Sequence, residues 1–276
     1  MTNLGRAGTL SAILVAAAAA VIGLRLTTTV DDPIPSDPRQ VRETLFQLLQ
    51  PVALANCELE RFGEENDGGY ILCGNLLGDV QSAYSYGISG YDGWGCEVST
   101  QLKVRTHQYD CFDPRLPKPC PSGDTEFHPE CVAAKSFSES GRLFDSMEGQ
   151  FGKNGDARKR LVVKMDIEGA EWESLQHASE ATLSRIDQLA IEMHYVDKPQ
   201  FVEVVRRLKR WFYVAHLHFN NYSCRPGLDP FPAWAYEVLF VNKRLATLAP
   251  GLPLRRPAAV DAPNNPKAAD CQTATP

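Results

Sequence analysis

The chain has 276 residues, of which 43% are hydrophobic and 22% are charged, and its formal net charge is −6. This composition is that of an ordinary globular protein and not of a disordered chain. The acidic balance argues against nucleic acid as a partner, because phosphate binding favours a basic face. A chain of this length allows one large domain or two small ones, and an α/β domain of about 200–250 residues is ordinary.

The N-terminus carries an apolar, alanine-rich run from Leu10 to Leu24, with Arg6 before it and Arg25 after it. Its length lies between a signal-peptide core and a full membrane span of about 20 residues. We therefore expect residues 1–30 to be a signal peptide or signal-anchor, with a linker over residues 31–40. This predicts a secretory-pathway protein, either secreted or held in the membrane as a single-pass type II protein.

Eight cysteines favour the same compartment, because disulfides persist in an oxidising lumen. No two of them have the CxxC spacing of a zinc or redox site. The pairing cannot be read from the sequence. Cys57 with Cys73, and Cys120 with Cys131, are candidate local pairs.

The folded part of the chain opens with a helix and a hairpin. Asp37 and Pro38 are typical of a helix start, and apolar residues recur behind them at helical spacing. Asp67-Gly68 lies between two β-prone runs and predicts a hairpin. Its loop is either a plain turn or a lid over a ligand.

A glycine-rich loop follows the next predicted strand, residues 83–86. It has four glycines in nine residues, from Gly87 to Gly95, with Gly-x-x-Gly spacing and not GxGxxG. Glycines after a strand let the backbone approach a ligand closely, as in nucleotide-binding turns. A helix is expected behind the loop, with Glu97 in its first turn.

The second strand of this predicted sheet begins at His107 and ends at Asp113, before a proline. An acidic residue at this place, about 20 residues after the glycine loop, is where dinucleotide folds hold ribose hydroxyls. Residues 117–130 are then expected to form a proline-rich loop.

The stretch from Leu161 to Leu175 is the best-marked strand–helix unit. A buried, β-branched strand ends at Asp166 and Glu168, and a helix follows. The next buried strand carries Glu192 and His194 at its end. Ligands of open α/β sheets bind at the carboxyl ends of the strands. These four side chains could also collect a divalent metal, although we predict none.

The last two strands, residues 212–219 and 235–241, have no obvious helix between them, so we expect them to pair antiparallel. The alternation of strands and helices before them predicts an α/β, doubly wound, mostly parallel sheet. The proline- and alanine-rich residues 246–276 are expected to be an unordered tail.

Several blocks of this sequence together resemble one family. KMDIEGAEWESL resembles the KxDxEGxE-type motif of the FkbM-type methyltransferases, and further blocks resemble, in order, a membrane-anchored eukaryotic branch of that superfamily: NDGGYILC, YSYGISG, CFDP, IEMHY and FNNYSC. The resemblance implies a methyltransferase domain over residues 41–245 that uses S-adenosylmethionine. It also implies a Rossmann-like sheet of seven strands with the last inserted antiparallel. The third strand would lie within residues 132–137.

The resemblance also assigns roles to individual residues. The implied cofactor contacts are Tyr86, Gly87, Gly90, Glu97, Asp113 and Asp166. Many such enzymes carry an acidic residue two positions before the first glycine, where this chain has Ser85. Asp92 or Glu97 is then expected to hold the methionine amine instead.

Three residues are the candidates for catalysis: His194, Asp166 and Glu168. His194 is the candidate general base, because an imidazole has a pKa near neutrality, and Asp166 or Glu168 is the alternative. The expected activity is O-methylation of a glycan or small-molecule hydroxyl in the secretory pathway. The competing hypotheses are an NAD-dependent sugar-modifying enzyme and a catalytically silent binding domain with the same fold.

Overall fold

The computed structural model describes residues 33–254 and 257–271. The segment predicted to be a signal peptide or anchor, residues 1–30, lies outside this range. Within the described ranges, no helix combines the length and the apolar character that crossing a bilayer requires.

The described part of the chain folds into six α-helices and twelve strands. The helices are α1 (Pro38–Leu48), α2 (Gly93–Leu102), α3 (Met147–Lys153), α4 (Glu171–His177), α5 (Glu180–Arg185) and α6 (Pro199–Trp211). The strands are β1 (Leu59–Phe62), β2 (Tyr70–Cys73), β3 (Ser82–Tyr86), β4 (Arg105–Tyr109), β5 (Asp124–His128), β6 (Glu130–Val132), β7 (Phe137–Glu139), β8 (Arg142–Asp145), β9 (Leu161–Met165), β10 (Ile186–His194), β11 (Phe212–Phe219) and β12 (Ala235–Asn242).

Seven of these strands form the central sheet, in the order β11-β12-β10-β9-β3-β4-β5. The neighbours from β10 to β5 pair in parallel. Strand β12 runs antiparallel to both β10 and β11. The structure thus confirms a mixed α/β fold with a mostly parallel sheet, and it confirms the antiparallel pairing of the last two strands.

Side chains of the central strands alternate between two apolar layers. Along β9, Leu161 and Val163 face a core built with α1, α3, α4, α5 and α6. Val162 faces a second core, built with α2 and the β1–β2 hairpin. Because both faces are covered, the strand is apolar along nearly its whole length, which is why the sequence marks it so clearly.

Four disulfides join all eight cysteines, as expected for an oxidising, secreted or lumenal environment. The Cys57–Cys73 pair is confirmed. The Cys120–Cys131 pair is wrong: Cys120 bonds Cys96, and Cys131 bonds Cys111. Strand β5 lies between Cys120 and Cys131, and five extended residues span about 17 Å, well beyond disulfide reach.

Three expectations about the course of the chain are also corrected. The strand expected third, within residues 132–137, is instead β5, which pairs with β4 at one edge of the sheet and lies inside the expected proline-rich loop. Strand β4 ends at Tyr109, so Asp113 lies in the turn beyond it. Residues 257–271 are not unordered but lie against the sheet, where Asn264 is buried and donates to Glu237 at 2.7 Å. Buried polar partners of this kind leave no apolar signal in the sequence.

Candidate functional site

The glycine loop is held tightly between two neighbouring strands. Gly87 has φ +75°, and a Cβ there would overlap the backbone oxygen of Asp166. Its N–H donates to the carbonyl of Tyr109 at 2.9 Å. The side chain of Lys164 donates to the Gly87 carbonyl at 2.6 Å. Only glycine fits this position, and the loop backbone therefore lies directly on the ends of β4 and β9.

Asp110, which is not among the predicted site residues, fixes the shape of the loop. One carboxylate oxygen accepts from the N–H groups of Ile88 and Ser89, at 3.2 and 2.8 Å. The other accepts from the N–H groups of Phe112 and Asp113, both at 2.9 Å. The signal available in the sequence was its position directly after the second strand, where we had instead placed Asp113 at the strand end.

A cavity of about 550 Å³ opens beside the loop, and Gly90 and Asp113 both line it. A Cβ on Gly90 would lie 3.3 Å from Oδ2 of Asp113, so the two predicted cofactor contacts are brought together. Arg115 pairs with Asp113 at 2.6 Å. The hydrogen bonds from Arg115 hold the pKa of Asp113 below its ordinary value. Asp113 is therefore a carboxylate acceptor at neutral pH.

Two acidic residues that we expected at the cofactor are engaged elsewhere. Glu97 accepts from the N–H of Gly63 at 2.7 Å and from the side chain of Gln101 at 2.8 Å. Asp92 caps α2 through the N–H of Gly95 and also accepts from Gln108. Both carboxylates hold α2 in place, so the structure does not assign either of them to an amine ligand.

Tyr86 contributes its backbone and not its ring to this region. The side chain is fully buried and packs 5.1 Å, ring centroid to ring centroid, from Tyr109. Its carbonyl oxygen accepts from the N–H of Asp166 at 3.1 Å and from Lys164 at 3.2 Å. The loop and the end of β9 are thereby joined through the main chain.

Asp166 receives a hydrogen bond from the hairpin that covers this edge of the sheet. The hydroxyl of Tyr70, the first residue of β2, donates to Oδ2 of Asp166 at 3.0 Å. Burial raises the pKa of Tyr70, and the negative charge of Asp166 adds to the shift. The Tyr70 hydroxyl therefore keeps its proton at neutral pH and donates a hydrogen bond to Asp166. Lys164 lies 3.7 Å from the same oxygen and supplies a positive charge.

His194 ends β10 with its imidazole between two carboxylates. Nδ1 lies 2.8 Å from Oε1 of the buried Glu171, and Nε2 lies 3.5 Å from Oε2 of Glu168. Burial opposes the charged imidazolium, but the hydrogen bond and charge of Glu171, with the charges of Glu192 and Asp166, outweigh it and raise the pKa of His194 to about 9. The expectation of a near-neutral pKa is thus wrong, because a buried carboxylate stabilises the protonated ring.

Glu192 completes a group of three possible metal ligands at this edge. Oxygen and nitrogen atoms of Asp166, Glu192 and His194 lie within 4.8 Å of one another. Asn220 donates to Glu192 at 2.7 Å. Burial, together with the charges of Asp166 and Glu237, raises the pKa of Glu192. Two carboxylates and one imidazole are a donor set that fits a divalent cation.

Glu168 stands apart from this group, since its side chain is 83% exposed. Its backbone has φ +57°, and Tyr195, directly after β10, has φ +69°. Residues other than glycine adopt this conformation only when the surrounding structure imposes it, and such positions cluster at functional sites. The ring of Tyr195 stacks with Trp234, with centroids 5.9 Å apart, and Trp234 lies equally far from His194. An aromatic rim therefore borders the imidazole.

No protein-family model matches this chain, and no curated protein matches its sequence. The geometry of the site is therefore what bears on function.

Proposed function

We propose that this protein is an S-adenosylmethionine-dependent methyltransferase that modifies a hydroxyl group of a glycan or small molecule in the secretory pathway. One observation carries the proposal. Gly87, Asp113, Asp166 and His194 lie at or just beyond the carboxyl ends of four adjacent strands, β3, β4, β9 and β10. In open α/β sheets this is the edge at which ligands bind.

The residues around the glycine loop fit such a cofactor. The bare backbone at Gly87 and Gly90 permits close approach of a ligand. Asp113 offers carboxylate oxygens to a pair of ribose hydroxyls, within a cavity whose volume lies in the usual range for small-molecule sites, about 300–1,000 Å³. The bound cofactor would supply an electrophilic methyl group.

The remaining residues of the site would position the acceptor and take its proton. With its pKa raised to about 9, the imidazole of His194 is mostly protonated at neutral pH, so only its minor neutral form accepts a proton at Nε2, while Glu171 holds the proton on Nδ1. General-base assistance of this kind contributes about 10²–10⁴-fold to a rate. The faces of Tyr195 and Trp234 suit the apolar face of a sugar ring next to that imidazole. Tyr70 and Lys164 hold Asp166 in place.

Calorimetric titration of the full chain with S-adenosylmethionine, and separately with NAD, tests the proposal. We expect saturable binding of S-adenosylmethionine that weakens more than tenfold in Asp113→Asn, because hydrogen bonds to a charged acceptor contribute about 1.5–3 kcal/mol each. The control is Asp79→Asn, an exposed aspartate just before β3, at the opposite edge of the sheet.

The two competing functions predict different titrations. Preferential binding of NAD would contradict the methyltransferase proposal and support a nicotinamide-dependent enzyme with the same fold. A folded sample that binds neither cofactor would support a silent binding domain.

A further inference from the structure

A second group of metal-ligand side chains lies on the outer part of the sheet, away from the Asp166 edge. It is built on β4 and on β5, the last strand of the central sheet. The parallel register places His107 opposite Glu126 and Tyr109 opposite His128. Since side chains two apart on a strand share a face, His107, Glu126 and His128 project from the same side of the sheet.

The distances within this group match those of a metal site. Nδ1 of His107 lies 3.1 Å from Nε2 of His128 and 3.6 Å from Oε2 of Glu126. All three ligand atoms lie within 4.8 Å of one another. A tetrahedral zinc ion with bonds of about 2.0–2.1 Å holds its ligand atoms about 3.3–3.4 Å apart. The side chains therefore need to move by only a few tenths of an ångström to reach that spacing around His107.

A buried carboxylate orients the central imidazole. Nε2 of His107 lies 3.3 Å from Oδ2 of Asp156, whose side chain is fully buried. Tyr84 donates to the same carboxylate at 3.0 Å and fixes its position. A proton on Nε2, where Asp156 accepts it, leaves the lone pair of Nδ1 directed toward Glu126 and His128. Carboxylates behind ligating histidines have this role in metal sites.

The third ligand is open to solvent and is itself supported. The side chain of Glu126 is 47% exposed, against 4% for His107, so an ion would enter from the side of β5. Arg105 donates to Glu126 at 3.1 Å. Arg105 also binds Asp124, at 3.1 Å, and keeps that partner if Glu126 turns toward an ion. Ligating carboxylates commonly carry such a second hydrogen bond.

We propose that His107, Glu126 and His128 bind one Zn²⁺ ion, with a solvent molecule in the fourth position. Two imidazoles and one carboxylate favour zinc over magnesium or calcium, which prefer oxygen ligands. The ion joins the outer strand β5 to β4. The site uses none of the residues assigned to methyl transfer, so it does not depend on the proposed function.

Zinc binding is tested on the full chain after chelator treatment, by calorimetric titration with ZnCl₂ and by the visible absorption of bound Co²⁺. We expect one ion per chain in the wild type. His128→Ala and Glu126→Gln should each weaken binding about 100-fold or more, because losing a group that only hydrogen-bonds to a metal ligand already costs about 10–100-fold. Glu126 is exposed, so Glu126→Gln is expected to fold even if His128→Ala does not. His177→Ala, at an exposed histidine of α4, is the matched control and should bind as the wild type does.

Glu192→Gln separates this site from the carboxylate group at the other edge. Zinc affinity unchanged in Glu192→Gln but lost in Glu126→Gln supports the proposal. Affinity lost in Glu192→Gln and retained in Glu126→Gln would overturn it, since the ion would then bind with Asp166 and His194. A folded wild-type protein that binds no zinc at micromolar concentration would also overturn it, and the two histidines would form a hydrogen-bonded pair only.

Discussion

The pairing of His194 with Glu171 can be tested through the pKa of the imidazole. Glu171 is fully buried in the first turn of α4, and one of its oxygens also accepts from the N–H of Ile167. Replacement by the neutral Gln of the same shape removes the negative charge that stabilises the imidazolium. We therefore expect the pKa of His194 to fall from about 9 in Glu171→Gln, as followed by NMR of the ring protons across pH.

Glu173→Gln is the control for this change, because Glu173 is exposed on the same helix. It should leave the pKa of His194 where it is. If the pKa of His194 were unchanged in Glu171→Gln, then Glu192 and Asp166, and not Glu171, would be what stabilises the imidazolium.

The raised pKa of His194 also sets the sign of its contribution to stability. The folded protein binds this proton more tightly than the unfolded chain, whose histidine pKa is about 6.5. The contribution is therefore fully present below pH 6.5 and is lost as the pH rises through about 9.

Some residues of the candidate site could be predicted because their residue type and their position after a strand both indicate a ligand-binding role. Gly87, Gly90 and Asp166 follow strands that the sequence marks clearly, and the structure places them at one edge. Tyr70 and Glu171 could not be found in this way. They reach Asp166 and His194 only through contacts between elements far apart in sequence, and no local pattern reports such contacts.

The segment of residues 257–271 has an unexpected structural role. Asp261 pairs with His216 of β11 at 2.6 Å. Burial opposes the ionised carboxylate, but the hydrogen bond and charge of His216, with the charge of His218, hold the pKa of Asp261 below its ordinary value. We expect Asp261→Asn to lower the free energy of unfolding by about 1–3 kcal/mol at neutral pH, as measured by urea denaturation.

This loss should depend on pH in one direction. Because the folded pKa is depressed, the stabilisation is present above the unfolded aspartate pKa, about 3.9, and disappears as the pH falls through the folded pKa. The wild type and Asp261→Asn should therefore converge in acid. Asp270→Asn, at an exposed aspartate of the same segment, should differ little from the wild type at any pH. A pH-independent difference would mean that packing and not charge holds the segment.

Strand β5 escaped prediction for a physical reason. The buried strands β9, β10 and β12 are apolar along most of their length and were located within a few residues. Strand β5 pairs on one side only in the central sheet, and its side chains are exposed or half-buried. It therefore carries charged residues that are typical of a loop, and no pattern distinguishes it from one.

The Cys224–Cys271 disulfide closes the longest loop of the four disulfides, with a sequence separation of 47. Closing a loop of this length removes conformational freedom from the unfolded chain, which stabilises the folded state by about 4 kcal/mol. The double variant Cys224→Ala/Cys271→Ala should lose about that much free energy of unfolding, as measured by urea denaturation without reductant.

The single variant Cys271→Ala, reacted with a thiol-blocking reagent at Cys224, is the control and should lose a similar amount. A loss below about 1 kcal/mol in the double variant would show that the unfolded chain already keeps the two ends together, so that the cross-link removes little freedom.

The reversed strand β12 makes the order of synthesis matter for this protein. Strands β10 and β11 do not touch each other in the sheet, because β12 lies between them and pairs with both. A nascent chain that has reached only Phe219 therefore carries two strands with unpaired edges, which are templates for aggregation. Strand β12 can fill the gap between β10 and β11 only after Asn242 has left the ribosome, and the Cys224–Cys271 disulfide forms still later. Those edges therefore stay unpaired until β12 has joined β10 on one side and β11 on the other.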